Sequence, residues 1–359
     1  MRRYAHELHA ALVAAGGSRT FTLEQPAGRR YLSRLVDAGV LRRVDSAWSR
    51  YVGYPRSLRR RRADAFHVLD HSDAQIVRYL DPARTVVTCH DLIPLLAAEG
   101  AIPVRVPSTV ARTFRWRVGH LARVHAVIAV SQATKATLER LTAVPPERIT
   151  VVPQGVSPLF RAMPGARSAA RASAGIPDTA PVVLQMASGG RYKNTPTLLR
   201  AFARLRARLG PRVALVRIGS PFYHDEADLA SRLGLSEAVR YLGPVDDETL
   251  VAWYNAADVL IFPSWWEGFG WPPLEAMACG TPVVASSTPA VAEAVGDAGL
   301  LVPPEDADAM ADAAERVLTD EACAAALRRR GLERAGGYTW ARAAKGTLAV
   351  YDAIVRDLL

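Results

Sequence analysis

Residues 259–284 read VLIFPSWWEGFGWPPLEAMACGTPVV, and they are the most informative segment of the chain. Its apolar start, 259–262, is typical of a buried strand, and a loop with two glycines follows it. Pro272 or Pro273 can occupy the first position of a helix, where the missing N–H of proline costs nothing. A strand, a glycine-rich turn and a helix N-terminus together present unpaired backbone N–H groups. The stretch therefore predicts an anion-binding site in an α/β sheet.

Two carboxylates flank this predicted anion site. Glu267 lies in the glycine loop, and Glu275 is expected in the first turn of the helix, where the helix dipole favours negative charge. Carboxylates beside a phosphate site suit a ligand that carries both phosphates and hydroxyls, and a nucleotide sugar is such a ligand. The alternative for Glu275 is an ordinary helix start with no ligand.

The spacing of the two acids, with seven residues between them, resembles the Glu-x7-Glu motif of glycosyltransferase family 4. That family is retaining and has the GT-B fold, in which two Rossmann-like doubly wound domains face a central cleft. The resemblance implies that Glu267 and the backbone of Gly268, Phe269 and Gly270 meet the donor sugar. It also implies that Glu275 holds the ribose diol.

A second segment, residues 182–194, predicts a buried strand followed by a glycine turn and a helix start. Gly189 and Gly190 let the backbone approach a pyrophosphate closely, and a cation after them can neutralise it. Lys193 matches the family lysine that contacts the donor diphosphate. Arg191 is displaced from the usual position of the family arginine and is a weaker candidate. A solvated loop cation is the alternative for Lys193.

His90 closes a predicted strand at its carboxyl end, where doubly wound sheets place ligands. It resembles the family His-Asp-Leu segment, whose histidine contacts the donor sugar and the reacting centre; a structural histidine is the alternative. Gly219 and Leu242 resemble positions whose backbone cradles the nucleotide base, although ordinary strand-to-helix turns would look the same.

Apolar runs alternate with amphipathic stretches along most of the chain, which predicts α/β domains with parallel sheets. We expect an acceptor-side Rossmann-like domain over 1–160 and a nucleotide-sugar-binding Rossmann-like domain over 161–340. The family likeness implies a last helix, 341–359, that packs back on the first domain. Residues 154–178, rich in proline and glycine, predict the linker.

The chain opens directly into an amphipathic segment, residues 2–15, whereas the family pattern begins with a strand and a glycine turn. The first domain is therefore expected to lack its first strand, or else the true start lies upstream. Both interpretations stay open.

Composition predicts a globular protein of 359 residues, half of them hydrophobic. The first residues lack the apolar core of a signal peptide, and the three cysteines are widely spaced, so we expect a cytoplasmic protein with free thiols and no zinc site. The net charge of +10 is uneven. Residues 1–160 hold 24 basic and 12 acidic residues, and the remaining 21 basic and 23 acidic residues lie in 161–359.

The basic first half favours an anionic partner, such as a lipid surface, a phosphorylated acceptor or nucleic acid. The arginine-rich composition of a GC-rich genome is an equally open explanation. Residues 46–62 combine three aromatic residues with the run Arg59–Arg62. They predict either an interfacial helix on anionic lipid, at the inner membrane face, or a solvated helix with buried aromatics. No nucleic-acid-reading motif is recognisable, so no nucleic acid partner is expected.

The family resemblance implies a retaining hexosyltransferase that moves a hexose from a nucleotide-sugar donor to an acceptor hydroxyl. The acceptor is expected to be a glycan, a lipid-linked sugar or a small natural product. His90, Glu267 and Lys193 are the candidate catalytic residues, and we expect no metal and no further cofactor. A nucleotide-sugar epimerase and a catalytically impaired donor-binding partner subunit remain as alternatives.

Overall fold

The computed structural model describes residues 2–24, 48–187 and 189–358, except for the side chains of Ser49 and Tyr51. The chain forms two compact units. The first comprises Met1–Leu95, Pro107–Pro153 and Trp340–Leu359, and the second comprises Leu96–Val106 and Gln154–Thr339. The predicted fold class, α/β with parallel sheets, is confirmed.

The first unit is built on a parallel sheet of four strands in sequential order. The strands are β1 (Phe66–Val68), β2 (Thr85–Cys89), β3 (Ala126–Ala129) and β4 (Ile149–Val151). β2 and β3 are fully buried, as expected for the central strands of a sheet covered on both faces. Within the described residues, no strand precedes β1.

Helices of the first unit include Arg2–Ala15, Tyr54–Leu58, Ser108–Val118, Gln132–Leu141 and Trp340–Asp357, and Ile93–Ala98 contributes to both units. A π-helix, Ser49–Gly53, and 3-10 segments at His71–Tyr79, Pro82–Arg84, Gly119–Arg123 and Pro146–Arg148 complete it. The first and last helices of the unit pack against each other. Of the predicted interfacial segment, residues 46 and 47 lie outside the described residues.

The second unit has a parallel sheet of six strands in the order β10-β9-β8-β5-β6-β7. Its strands are β5 (Val182–Ala187), β6 (Ala214–Gly219), β7 (Val239–Gly243), β8 (Val259–Phe262), β9 (Val283–Ser286) and β10 (Leu300–Val302). The strand order runs outward from β5 to β7 and then resumes on the other side at β8. The carboxyl ends of β5 and β8 therefore form the topological switch point, where ligands bind in such sheets.

The helices of the second unit are Ala166–Ser173, Thr195–Leu209, His224–Arg232, Asp247–Ala256, Trp271–Ala278, Pro289–Val295, Ala307–Thr319 and Glu321–Gly336. Among the described residues, no helix is both long and apolar enough to cross a bilayer.

The predicted linker, 154–178, differs from expectation because it contains the helix Ala166–Ser173. The fully buried Arg171 fixes this helix to the second unit. Its guanidinium donates hydrogen bonds to the carbonyl oxygens of Ala256, Asp178 and Ala180 and to Oδ2 of Asp258, all between 2.7 and 2.9 Å. A buried guanidinium needs this many acceptors to replace its lost water.

Candidate functional site

The glycine turn after β5 begins the candidate site. Gly189 has φ +77°, and a Cβ there would lie 2.8 Å from Oγ of Ser220, so the turn requires glycine. The 3-10 segment Arg191–Lys193 follows, and Asn194 has φ +53°, the one positive φ of a non-glycine residue among the described residues. Ser188 lies outside the described residues. The turn thus brings Lys193 back over the end of β5.

Asn194 has a structural reason for its unusual backbone. Its Nδ2 donates hydrogen bonds to the carbonyl oxygens of Pro263, at 3.0 Å, and Pro304, at 2.6 Å. Pro263 directly follows β8, and the backbone N–H of Trp265 donates to the carbonyl oxygen of Tyr192 at 2.7 Å. These contacts fasten the loop after β5 to the loop after β8.

Lys193 and Glu267 are brought together by these two loops. The Nζ of Lys193 donates to Oε1 of Glu267 at 2.7 Å, and the two side chains are only 9% and 11% exposed. The Lys193 ammonium also lies 5.0 Å from the ring centre of Phe262 and 5.1 Å from that of Tyr192. Ion pairing and aromatic faces both favour the charged form of a buried amine. The pair places one positive and one negative charge at the switch point.

Glu275 is buried in the helix Trp271–Ala278. The helix begins at Trp271, after Gly270 with φ +112°, so Glu275 lies in its second turn. The expectation that Glu275 lies in the first turn is therefore wrong. The sequence predicts a helix that begins at Pro272 or Pro273, but the left-handed backbone of Gly270 lets the helix begin at Trp271. The hydroxyl of Tyr254 donates to Oε2 of Glu275 at 2.9 Å, which fixes the carboxylate. Gly268 and Phe269 are buried in the loop between the two acids.

Arg191 is held on the neighbouring side of the glycine turn. Its guanidinium forms a two-pronged ion pair with Asp225, at 2.8 and 3.1 Å, and lies over the ring of Tyr223, 4.4 Å from the centre. The Tyr223 hydroxyl also donates to the carbonyl oxygen of Gly189 at 2.5 Å. Asp225 and Tyr223 thus secure the turn, and Arg191 already has a carboxylate partner.

Gly219 and the half-buried Leu242 lie at the ends of the adjacent strands β6 and β7. Gly219 has φ +109°, and a Cβ there would meet the Ala187 carbonyl oxygen at 2.0 Å, so no other residue fits. Arg217, whose pKa is lowered by burial, donates to the carbonyl oxygens of Ser220, at 3.0 Å, and Pro221, at 3.2 Å. These contacts fix the backbone that the sequence predicts to hold the base.

His90 belongs to the first unit, directly after β2. Its backbone N–H donates to Nδ1 of His71 at 3.2 Å, and its Nε2 lies 2.8 Å from the carbonyl oxygen of Leu69. A carbonyl can only accept, so Nε2 of His90 carries the proton in this bond. Burial lowers the pKa of His90 to about 4. The ring and the backbone of His90 are thus both held by the segment after β1.

A network of buried polar side chains lies next to His90, around the strands β1 and β2. Thr88 Oγ1 lies 2.7 Å from Nε2 of His67 and 3.1 Å from the hydroxyl of Tyr4, and His67 Nδ1 lies 2.7 Å from the hydroxyl of Tyr351. Burial, and then the charge of His90, lower the pKa of His67 to about 3. The ring of Tyr4 meets His90 edge-on, with centres 4.7 Å apart. Through these contacts the first helix of the unit meets β2 at Thr88, and the last helix meets β1 at His67.

No group of three or more His, Cys, Asp or Glu side chains in the described part of the chain is arranged to hold a metal ion. Cys89 and Cys279 are buried free thiols, and burial raises the pKa of both. Neither thiol has the exposure or low pKa of a nucleophile.

Comparison with known proteins agrees with the geometry at the switch point. The family model described as "Glycosyl transferases group 1" matches residues 166–334, and the model "Glycosyltransferase Family 4" matches residues 1–158. The chain belongs to glycosyltransferase family 4. The predicted resemblance is confirmed.

Relatives of this family 4 chain include a D-inositol 3-phosphate glycosyltransferase of Stackebrandtia nassauensis, 37% identical over 252 residues. The match covers 66% of this chain and 56% of that protein. The mannosyltransferase WbdA of Escherichia coli is 29% identical over 73% of this chain and 32% of its own length. The chain thus spans little more than half the length of the inositol phosphate transferase and a third of WbdA.

Solved structures share the fold over nearly the whole chain. A sucrose-phosphate synthase from Thermosynechococcus elongatus is 26% identical, with a TM-score of 0.71 over 99% of this chain and 93% of that one. The lipopolysaccharide glycosyltransferase WaaG has a TM-score of 0.73 at 18% identity, over 98% and 95% of the two chains. The predicted GT-B fold class is confirmed.

The sequence interpretation missed several supporting residues: His71, Arg217, Tyr223, Asp225 and Tyr254. Tyr254, for example, is 21 positions from Glu275, on a different helix, and nothing in its local pattern distinguishes it from a core tyrosine. Such partners are set by tertiary packing, and no local sequence signal could have found them.

Proposed function

We propose that this chain is a retaining glycosyltransferase that moves a hexose from a nucleoside diphosphate sugar to an acceptor hydroxyl without a metal ion. The observation that carries the proposal is the buried Lys193–Glu267 pair at the switch point of the six-stranded sheet, beside the turn formed by Gly189 and Gly190. A glycine turn with an amine is suited to a diphosphate, and a carboxylate beside it is suited to sugar hydroxyls.

Charge stabilisation is the main task in this reaction. As the glycosidic bond to the diphosphate breaks, negative charge grows on the leaving group while the sugar becomes oxocarbenium-like. Lys193 is preorganised by Glu267 and two aromatic rings, so it can meet this charge with little rearrangement. Its amine supplies the positive charge that a metal ion would supply in other transferases.

The remaining site residues position the donor. Glu275, fixed by Tyr254, binds the ribose diol, and the loop Gly268–Gly270 lies against the sugar together with Glu267. Gly219 and Leu242 present backbone groups to the base, and His90 contacts the sugar. Arg191 has a secondary part because it is displaced from the usual position of the family arginine and its guanidinium is turned to Asp225. The acceptor attacks from the leaving-group face, and a donor phosphate oxygen takes its proton, so the anomeric configuration is retained.

The activities of related proteins suggest which acceptors and donors to test first. Several related proteins are D-inositol 3-phosphate glycosyltransferases. A structural neighbour, HepE of Anabaena, has been solved in complex with UDP-glucose. We therefore place inositol phosphates, sugar phosphates and lipid-linked sugars first among acceptors, and UDP-hexoses first among donors. These names belong to transferases and synthases, and they give no support to the epimerase or to an impaired partner subunit.

Purified protein is tested with a panel of nucleotide sugars for donor binding by calorimetry and for donor hydrolysis and transfer. Lys193→Ala removes a charged contact to the diphosphate, so donor binding is expected to weaken about 10- to 100-fold. Glu275→Ala should also weaken binding, and Glu267→Ala should lower turnover. The double variant Lys193→Ala/Glu267→Gln separates lost binding from the instability of an unpaired buried carboxylate.

The matched control is Lys345→Ala, which removes an exposed lysine from the last helix. The assignment fails if Lys193→Ala, Glu267→Ala and Glu275→Ala all bind and turn over like wild type. Product NMR should show the donor anomeric configuration, and EDTA should leave the rate unchanged. Donor conversion without acceptor into an epimer would instead establish the epimerase.

We place the protein in the cytoplasm, with peripheral contact at the inner membrane face.

A further inference from the structure

An exposed basic surface of the first unit has no part in the proposed reaction. We call it the arginine–tryptophan surface; it consists of Arg59–Arg62, Arg78, Tyr79, Arg112, Arg115, Trp116 and Arg123. The helix Ser108–Val118 buries Ala111, Phe114 and Val118 and leaves the rest of its circumference outside. Trp116 is 47% exposed there. Between Glu99 and Glu139 the chain has five arginines and one lysine and no acidic residue.

Contacts join the two parts of this surface through the segment His71–Tyr79. The guanidinium groups of Arg59 and Arg78 lie over the ring of Tyr79, 5.0 and 5.6 Å from its centre. Burial lowers the pKa of His120, and the charges of Arg123 and Arg78 add to that effect, so these arginines lie near His120. The His120 ring in turn meets Trp116 edge-on at 5.3 Å. The arginine run and the acid-free helix therefore form one continuous surface.

Positive charge is in excess on this surface. Three neighbouring acids are already paired: Asp73 with Arg50 at 2.7 Å, Glu24 with Arg61 at 2.9 Å, and Asp81 with Arg84 at 3.4 Å. Within the described residues, Arg59, Arg62, Arg78, Arg112, Arg115 and Arg123 have no ion-pair partner. A cavity of about 660 Å³ is lined by Arg59, Arg61, Arg62 and Arg84, by the acids Asp64 and Asp81, and by apolar and aromatic side chains that include Leu58, Phe66 and Tyr79, so its arginines outnumber its carboxylates.

We propose that the arginine–tryptophan surface binds the anionic face of a lipid bilayer. Arginines next to a membrane are attracted by anionic headgroups, and a half-exposed indole such as that of Trp116 is suited to the headgroup level. Trp48, 49% exposed, provides a second indole in the same unit. Nucleic acid fits less well. Single strands stack on open aromatic faces, whereas the ring of Tyr79 already carries two guanidinium groups.

Vesicle co-sedimentation tests the proposal, with full-length protein at low ionic strength. Vesicles of phosphatidylcholine are compared with vesicles that contain about one third phosphatidylglycerol, and binding is expected only to the second. Arg112→Gln/Arg115→Gln should lower the partition coefficient roughly 30-fold, which corresponds to about 1 kcal/mol per arginine at the membrane. Trp116→Ala should also weaken binding, without any change in charge.

The matched control, Arg212→Gln/Arg232→Gln, removes two exposed arginines of the second unit and should bind vesicles like wild type. The proposal is overturned if wild type ignores phosphatidylglycerol, or if the two double variants bind equally. It is also overturned in favour of nucleic acid if an oligonucleotide binds more tightly than the vesicles and Trp116→Ala has no effect. Donor hydrolysis, measured without vesicles, should be unchanged in every variant, so the result is independent of the proposed transfer reaction.

Discussion

Lys193 shows how its surroundings distinguish one lysine from an ordinary surface cation. A lone lysine after a glycine turn is usually a solvated cation, but here the amine is buried against Glu267 and two aromatic rings. Removing one partner of such a pair leaves a buried charge, which costs about 3 to 5 kcal/mol. Its burial alone therefore does not prove catalysis, and the double variant with Glu267→Gln carries the argument.

His71 is the residue whose role the structure adds to the candidate site. Its Nδ1 accepts the backbone N–H of His90, and it is 4% exposed. We predict that His71→Leu, which removes this acceptor, lowers kcat about tenfold with little change in the donor KM, because the sugar contact that we propose for His90 requires its ring to be held in place. Steady-state kinetics on both constants checks this expectation.

The control for this prediction is His71→Asn, whose side-chain oxygen can occupy the place of Nδ1 and should restore most of the lost rate. Equal losses in both variants would show that the bulk of the imidazole matters and not its acceptor. An unchanged kcat in His71→Leu would show that His71 has no positioning role.

At the scale of elements, Asn194 joins the loop after β5 to the loop after β8. Asn194→Gly keeps the left-handed backbone and loses the bonds to Pro263 and Pro304, so we expect a loss of about 1 to 3 kcal/mol of unfolding free energy. Asn194→Ala adds the strain of a left-handed alanine, about 1 to 2 kcal/mol more. Urea unfolding of the two variants measures both contributions, and donor affinity should fall in the same order.

This order of effects is the critical result. If Asn194→Ala were no less stable than Asn194→Gly, the left-handed backbone at this position would be wrong. If donor affinity stayed constant while stability fell, the two loops would not form the donor site together.

Strand positions could be predicted from the sequence because buried parallel strands are short continuous apolar runs; β8 begins and ends where the pattern placed it. Helices with weak signals were missed. Glu321–Gly336 is rich in alanine and arginine with no clear apolar stripe, and Ala166–Ser173 was concealed by the prolines and glycines around it. The Glu-x7-Glu spacing marked the two acids, but only the packing of separate strands shows that Lys193 meets Glu267.

At the scale of the whole molecule, the histidines are unequally divided between the two units. Of the eight histidines, only His224 lies in the second unit, and it is exposed. In the first unit, burial holds the pKa of His67 at about 3 and that of His90 at about 4, below the ordinary value of 6.5. The first unit should therefore be the acid-sensitive part of the chain.

The sign of this effect follows from proton binding. Below pH 6.5 the unfolded chain takes up protons that folded His90 does not bind until about pH 4 and folded His67 until about pH 3, so stability present above pH 6.5 is lost as the pH falls. Each histidine contributes a loss of up to about 1.4 kcal/mol per pH unit. We predict that brief pepsin digestion between pH 6 and pH 4, mapped by mass spectrometry, cuts the first unit at a higher pH than the second. His67→Gln should reduce this pH dependence, and the control His224→Gln should not. If pepsin cut both units at the same pH, the buried histidines would not control acid unfolding.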